Sequence, residues 1–139
     1  MKFLVAVDGS PASLRAVNLA IEFATRREAS LILLNVQNLV MLGPGTGLMA
    51  AEWIEDEAVG AGEEALKSAI AACQASGVPF TARYERGEPA ATIDQITREQ
   101  SIDHIVMGTR GLGSIRGLLI GSVATRVLHL VEVPVTLVK

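Results

Sequence analysis

Two stretches of this chain carry residue types suited to contacting a ligand, and one of them suits an anion. The longer is Gly108-Thr109-Arg110-Gly111-Leu112-Gly113-Ser114, continuing to Gly121-Ser122-Val123-Ala124. Five of the 13 glycines fall within residues 108–121. Glycines at 108 and 111 let the backbone turn sharply and bring its amides close to a ligand. Gly121-Ser122 stands at an expected helix start, where unpaired N–H groups and the helix dipole favour a phosphate or other anion. Ser122 is also placed to cap that helix and to offer its hydroxyl to a phosphate. A plain glycine loop with a serine cap has the same composition, so the spacing must decide. The second stretch is Ala6-Val7-Asp8-Gly9-Ser10, an acid at the end of an apolar run. Asp8 there suits either a ligand contact or a carboxylate set against the positive end of the next helix.

The remaining chemistry-bearing residues are sparse. Cys73 has no second cysteine to pair with, and two histidines and one thiol are a poor metal inventory. Cys73 falls on the apolar stripe of a helix and reads as a small buried hydrophobe. His104 and His129 lie far apart, on a strand and at a helix end, where packing or dipole roles suit them. Gly43-Pro44-Gly45-Thr46-Gly47 resembles a phosphate loop in composition only. Pro44 removes an amide, and the stretch does not join a strand end to a helix start.

These residues need a frame, and the hydrophobic pattern supplies one. Phe3–Val7, Leu31–Val36 and Asp103–Met107 are nearly continuous apolar runs, the signature of parallel strands buried on both faces. Val78–Tyr84 and Val133–Val138 are the other two strands. Ser10-Pro11 opens a helix to about Arg26, with Leu14, Val17, Ile21 and Ala24 at spacings of three and four. A long helix is expected from Glu52 to about Ser76, after a loop over 38–51, with Ile54, Ala58, Ala61, Ala65, Ala69 and Cys73 inward. Gly87-Glu88-Pro89 opens a helix to about Gln100, and Ser122 to Val131 is the last helix. The alternation predicts an α/β fold, a three-layer doubly wound parallel sheet of five strands in a single domain, 1–139. In such sheets ligands bind beyond the carboxyl ends of the strands, where strand order reverses.

The spacing Gly108-x2-Gly111-x9-Gly121-Ser122 matches the G-x2-G-x9-G-[ST] pattern of the universal stress protein family. The whole chain resembles that family: Asp8 before a serine-led helix, Leu33-Leu34-Asn35-Val36, Gly87-Glu88-Pro89 and the closing Val133-Pro134-Val135. The resemblance implies strand order 3-2-1-4-5 and an adenine nucleotide across strands 1 and 4, and the full glycine pattern resembles the ATP-binding branch. By position it implies that Ala6, Val7 and Val36 line the adenine, and that Asp8 faces the ribose or a magnesium ion on the phosphates. Met107 and Gly108 then bracket the ribose, while Gly111, Gly113, Gly121, Ser122 and Val123 cradle the phosphates. Ala124 lacks the hydroxyl of a threonine found in some relatives, and Asn35 replaces a frequent histidine. Arg110 and Arg116 stand near enough in sequence to add charge. The closing strand, an uncharged edge over Val133–Val138, is expected to pair with a second copy, giving a homodimer.

Composition bounds the rest. The apolar fraction is 50%, the charged fraction 19% and the net charge −3, a folded domain with core enough to need no disulfide. Residues 1–103 hold 8 basic and 14 acidic side chains, whereas 104–139 hold four basic and one acidic, so an anion is favoured in the last quarter. Five aromatics and a negative charge argue against nucleic acid. No apolar run reaches the ~18 residues of a membrane span, no signal peptide is read, and the expected location is the cytoplasm. The leading expectation is an ATP-, ADP- or AMP-binding stress-response regulator that signals through an unnamed protein partner. The alternative is a slow ATPase or phosphotransferase. Efficient phosphoryl transfer recruits a cationic clamp and metal-holding acids, and the three lysines, Lys2, Lys67 and Lys139, lie outside the glycine pattern. A pyrophosphate-cleaving site needs more than the faint Asp8-Gly9-Ser10 likeness. An Asp8 phosphoacceptor needs a second clustered acid and a lysine.

Overall fold

The apolar runs become strands and the three-and-four periodic runs become helices, in strict alternation. In the computed structural model, which describes residues 1–38, 48–112 and 117–139, β1 (Lys2–Ala6) leads to α1 (Pro11–Arg27), β2 (Ser30–Gln37) and α2 (Leu48–Ser76). Then follow β3 (Phe80–Arg86), α3 (Pro89–Glu99), β4 (His104–Gly108), α4 (Ser122–Leu130) and β5 (Val135–Val138). The strands form one sheet in the order β3-β2-β1-β4-β5, all neighbours parallel. This is the expected α/β fold with the expected strand order. The Gly43–Gly47 stretch lies outside the described residues.

Alternation along each strand divides the core in two. Phe3, Val5 and Leu33 face α1 and α2, while Leu4, Leu34, Ile105 and Met107 face α3 and α4. Each apolar residue of a central strand therefore meets a helix layer on one side or the other, which is why these runs carry no polar alternation. The chain winds from β1 outward through β2 to β3, then returns to β4 on the other side of β1. Beyond the carboxyl ends of β1 and β4 the connections diverge and leave a crevice.

Several boundaries move. The long helix starts at Leu48, not Glu52: Leu48-Met49-Ala50-Ala51 are strong helix formers and extend it backwards. Its buried stripe among the described side chains is Gly62, Leu66, Ala69 and Cys73, with Ala61 exposed and Ala65 half-buried. A run of steps of four drifts around a 3.6-residue helix, whereas steps of four, three and four hold one face. β3 begins at Phe80 because Pro79 has no N–H to donate; its carbonyl still accepts the Leu31 amide at 2.9 Å. β5 begins at Val135, two residues later than expected.

The lone thiol and the first histidine are packing residues. Cys73 is fully buried, and burial pushes its pKa up to about 11. His104 Nε2 lies 2.7 Å from Thr136 Oγ1, and its ring meets Phe3 edge-on at 5.7 Å. Burial, with Arg27 nearby, lowers its pKa. No helix among the described residues is long and apolar enough to cross a membrane.

Candidate functional site

Every helix of a parallel α/β sheet begins at the same edge, where the preceding strand ends. The crevice beyond β1 and β4 is consequently surrounded by helix N-termini. A cavity of about 270 Å³ occupies it. Its walls bring together Ala6, Val7 and Asp8 from the end of β1, Val36 from β2, and Met107, Gly108 and Gly111 from β4 and its following turn. Gly121, Ser122, Val123 and Ala124 come from the start of α4. Eleven of the twelve residues named from the sequence thus stand around one space; Gly113, like Arg116, lies outside the described residues. Arg110 lines the cavity as well.

One end of the cavity is apolar. Leu34, Ile93, Met107 and Ala124 are each at least 95% buried and, with Ala6 and Val36, form a surface fit for a flat, weakly polar group. Pro89 and Ile93 of α3 were not foreseen at the site. The signal was present: α3 precedes β4, so its first turn had to rise at the same sheet edge as the glycine pattern. Ser10 and Ser13 of α1 and Thr109 and Leu112 also line the cavity.

The three helix N-termini differ in what satisfies them. At α1, Ser10 Oγ accepts the Ser13 amide at 3.1 Å and Asp8 Oδ1 accepts the Ser10 amide at 2.9 Å. At α3, the Glu88 carboxylate accepts the Ala90 and Ala91 amides at 3.2 and 2.7 Å and pairs with Arg126 at 3.2 Å. At α4 the N-cap is Gly121, and among the described residues no side chain caps the helix. The expectation that Ser122 caps it is corrected: Ser122 is the first helical residue, one position too late for its hydroxyl to reach back to the N2 and N3 amides. The Gly121 amide donates to Thr109 O at 2.6 Å, which leaves the amides of Ser122, Val123 and Ala124 pointing out of the helix end. Two positive helix ends are thus satisfied by the protein's own side chains, and one is open.

The glycines have separate steric causes. A Cβ on Gly108 would stand 3.0 Å from Ala12 Cβ and 3.2 Å from Arg110 O, so α1 packs directly on that backbone. A Cβ on Gly111 would strike Asp8 Oδ2. A Cβ on Gly121 would meet Arg110 Cα and Thr109 O at 3.4 Å, at the edge of ordinary contact. Asp8 itself bridges two loops, since Oδ2 also accepts the Leu112 amide at 3.1 Å. Asn35 is buried outside the cavity and ties down the end of β1, its Nδ2 donating to Val7 O at 2.7 Å. Among the described residues no three His, Cys, Asp or Glu side chains stand together.

The sequence model of the universal stress protein family matches residues 1–139. The chain is 31% identical over 145 aligned residues to the universal stress protein YxiE of Bacillus subtilis, covering 99% of this chain and 98% of that protein. Among solved structures, UspA of Lactobacillus plantarum superposes with a TM-score of 0.87 at 25% identity, over 100% of this chain and 97% of its own. A universal stress protein in complex with cAMP gives 0.70 at 28% identity, over 100% and 97%. The Archaeoglobus fulgidus protein in complex with dAMP gives 0.69 at 25% identity, over 100% and 98%.

Proposed function

The chain belongs to the universal stress protein family, and from that premise we propose that it binds an adenine nucleotide, ATP or its ADP and AMP relatives, as a cytoplasmic stress-response regulator. One observation carries the reading: of the three helix N-termini around the cavity, α4 alone lacks a capping side chain. An anionic group gains most where free amides and an unneutralised dipole coincide. The phosphates therefore lie at Gly111, Gly121, Ser122 and Val123, with Arg110 beside them, and the family's glycine pattern implies Gly113 as well. The base takes the apolar end, over Ala6, Val7 and Val36, and the ribose lies between, at Met107 and Gly108. The cavity volume is near the low end of the roughly 300–1,000 Å³ usual for small-ligand sites, which suits an enclosed nucleoside with its phosphates toward the rim. Solved relatives are in complex with cAMP and with dAMP, each an adenine nucleoside carrying one phosphate group. When ATP is the ligand, a magnesium ion would arrive as its counter-ion, and Asp8 is the one carboxylate among the described residues lining the cavity.

The regulatory output is a change of state between free and loaded protein, read by a protein partner and by a second copy paired along the edge strand at Val133–Val138.

Two measurements test the binding. Mass spectrometry of the ligand released from gently purified protein is expected to find an adenine nucleotide. Adding AMP, ADP or ATP at a hundredfold excess over Kd is expected to stabilise the fold by about 2.7 kcal/mol, seen as a raised melting temperature. No released nucleotide and no shift with any of the three would contradict the reading.

A further inference from the structure

We propose that Asp8 is a positioning residue: its carboxylate latches the turn after β4 onto the end of β1, and Gly111 is glycine because that carboxylate fills the space of a side chain. Oδ1 accepts the Ser10 amide at 2.9 Å and fixes the turn that Asp8 itself belongs to. Oδ2 accepts the amide of Leu112, 104 residues further along the chain, at 3.1 Å. Gly111 lies directly against the same oxygen, and any Cβ there collides with it. A carboxylate accepting two backbone N–H groups is a charge-assisted contact, and a charged acceptor holds such amides more firmly than a neutral one.

The latch reaches the open helix end through a short chain of contacts. Asp8 holds Leu112; the turn 108–112 carries Thr109; and Thr109 O accepts the Gly121 amide at 2.6 Å. Gly121 is the N-cap of α4. The position of the three free amides of α4 therefore depends on a carboxylate that need not touch the ligand at all. It also separates the causes of two glycines in one motif: Gly111 answers to Asp8, whereas among the described residues outside its chain neighbours the nearest atoms to a Cβ on Gly121 stand at 3.4 Å. The latch itself stands on these contacts alone; its effect on affinity rests on the nucleotide reading.

A double-mutant cycle tests it. Gly111→Ala is expected to lower the thermal midpoint of the otherwise unaltered protein and to cost nothing further in an Asp8→Ala background, where the obstructing oxygen is gone. Asp8→Ala is expected to speed exchange of the Leu112 amide hydrogen by about 10- to 150-fold, the range for a lost hydrogen bond to a charged group. Asp8→Asn, which keeps the shape and one acceptor oxygen, should fall between. AMP affinity is expected to drop by one factor in Asp8→Asn, the same with and without magnesium. If Gly111→Ala alone fails to fold, recovery by Asp8→Ala reads the same coupling, and continued failure overturns it. An equal cost of Gly111→Ala in both backgrounds overturns the latch. So does unchanged Leu112 exchange with a loss confined to magnesium-bound ATP. Coupling between positions 8 and 111 in a protein that binds no AMP would uphold the latch and remove the nucleotide reading instead.

Discussion

Proline in place of Ser122 is expected to leave a folded protein whose affinity for AMP has fallen about 10- to 150-fold, the equivalent of one hydrogen bond to a charged group. The first position of a helix tolerates proline, since its N–H has no intrahelical partner and its φ is already helical. This chain uses the device twice, with Pro11 opening α1 and Pro89 opening α3. Gly121, the preceding residue, has φ −73° and ψ 169°, the extended conformation that a residue before proline prefers. The fold therefore has no reason to resist. What the substitution removes is one of three free amides at the open end of α4, together with a hydroxyl. Ser122→Ala removes the hydroxyl alone and is expected to lose less. Calorimetry on the two variants, with circular dichroism for the fold, separates the amide contribution from the side chain's. Unaltered AMP affinity in a folded Ser122→Pro protein would move the phosphates away from this helix end.

A second large effect is expected at the edge strand. β5 pairs only with β4 in this sheet. Pro134 O accepts the Ile105 amide and Val138 O accepts the Thr109 amide, so the backbone groups of residues 134, 136 and 138 face inward. Those of Val135 and Leu137 alternate to the free side. An unpaired, uncharged edge of this kind is a template for a second strand. The protein is expected to sediment as a homodimer at micromolar concentration, and Val135→Pro is expected to make it a monomer. Proline there removes an outward N–H and none that β4 uses, and edge strands accept it. A wild-type protein of 14.6 kDa across that range, or a Val135→Pro dimer, would contradict the pairing.

Much of this was legible in the sequence, and the reasons differ from one residue to the next. The central strands were visible because burial on both faces leaves an uninterrupted apolar run, as in Phe3–Val7. The cavity residues were visible because a parallel α/β sheet gathers its strand ends at one edge, and the glycine spacing matched a known pattern there. Contacts across long stretches of chain were not legible. Nothing near Asp8 announces that its oxygen holds Leu112, and nothing near Gly111 says which atom forbids its side chain. Gly87-Glu88-Pro89 marks a helix start, but placing that start beside β4 takes the further step from strand order. At Gly121-Ser122 the helix was expected correctly and its cap was off by one residue, because serine and glycine are both good N-caps and only the backbone angles separate them.

The central claim is that the phosphates of an adenine nucleotide sit on the uncapped start of α4. Titrating isotopically labelled protein with AMP and following backbone amide resonances tests it most directly. The account predicts that the Ser122, Val123 and Ala124 amides shift most. Ser13, Ala90 and Ala91, whose N–H groups already bond to Ser10 and Glu88 side chains, should move little. Largest shifts at Ala90 and Ala91, or at Ser13, with α4 unmoved, would contradict it.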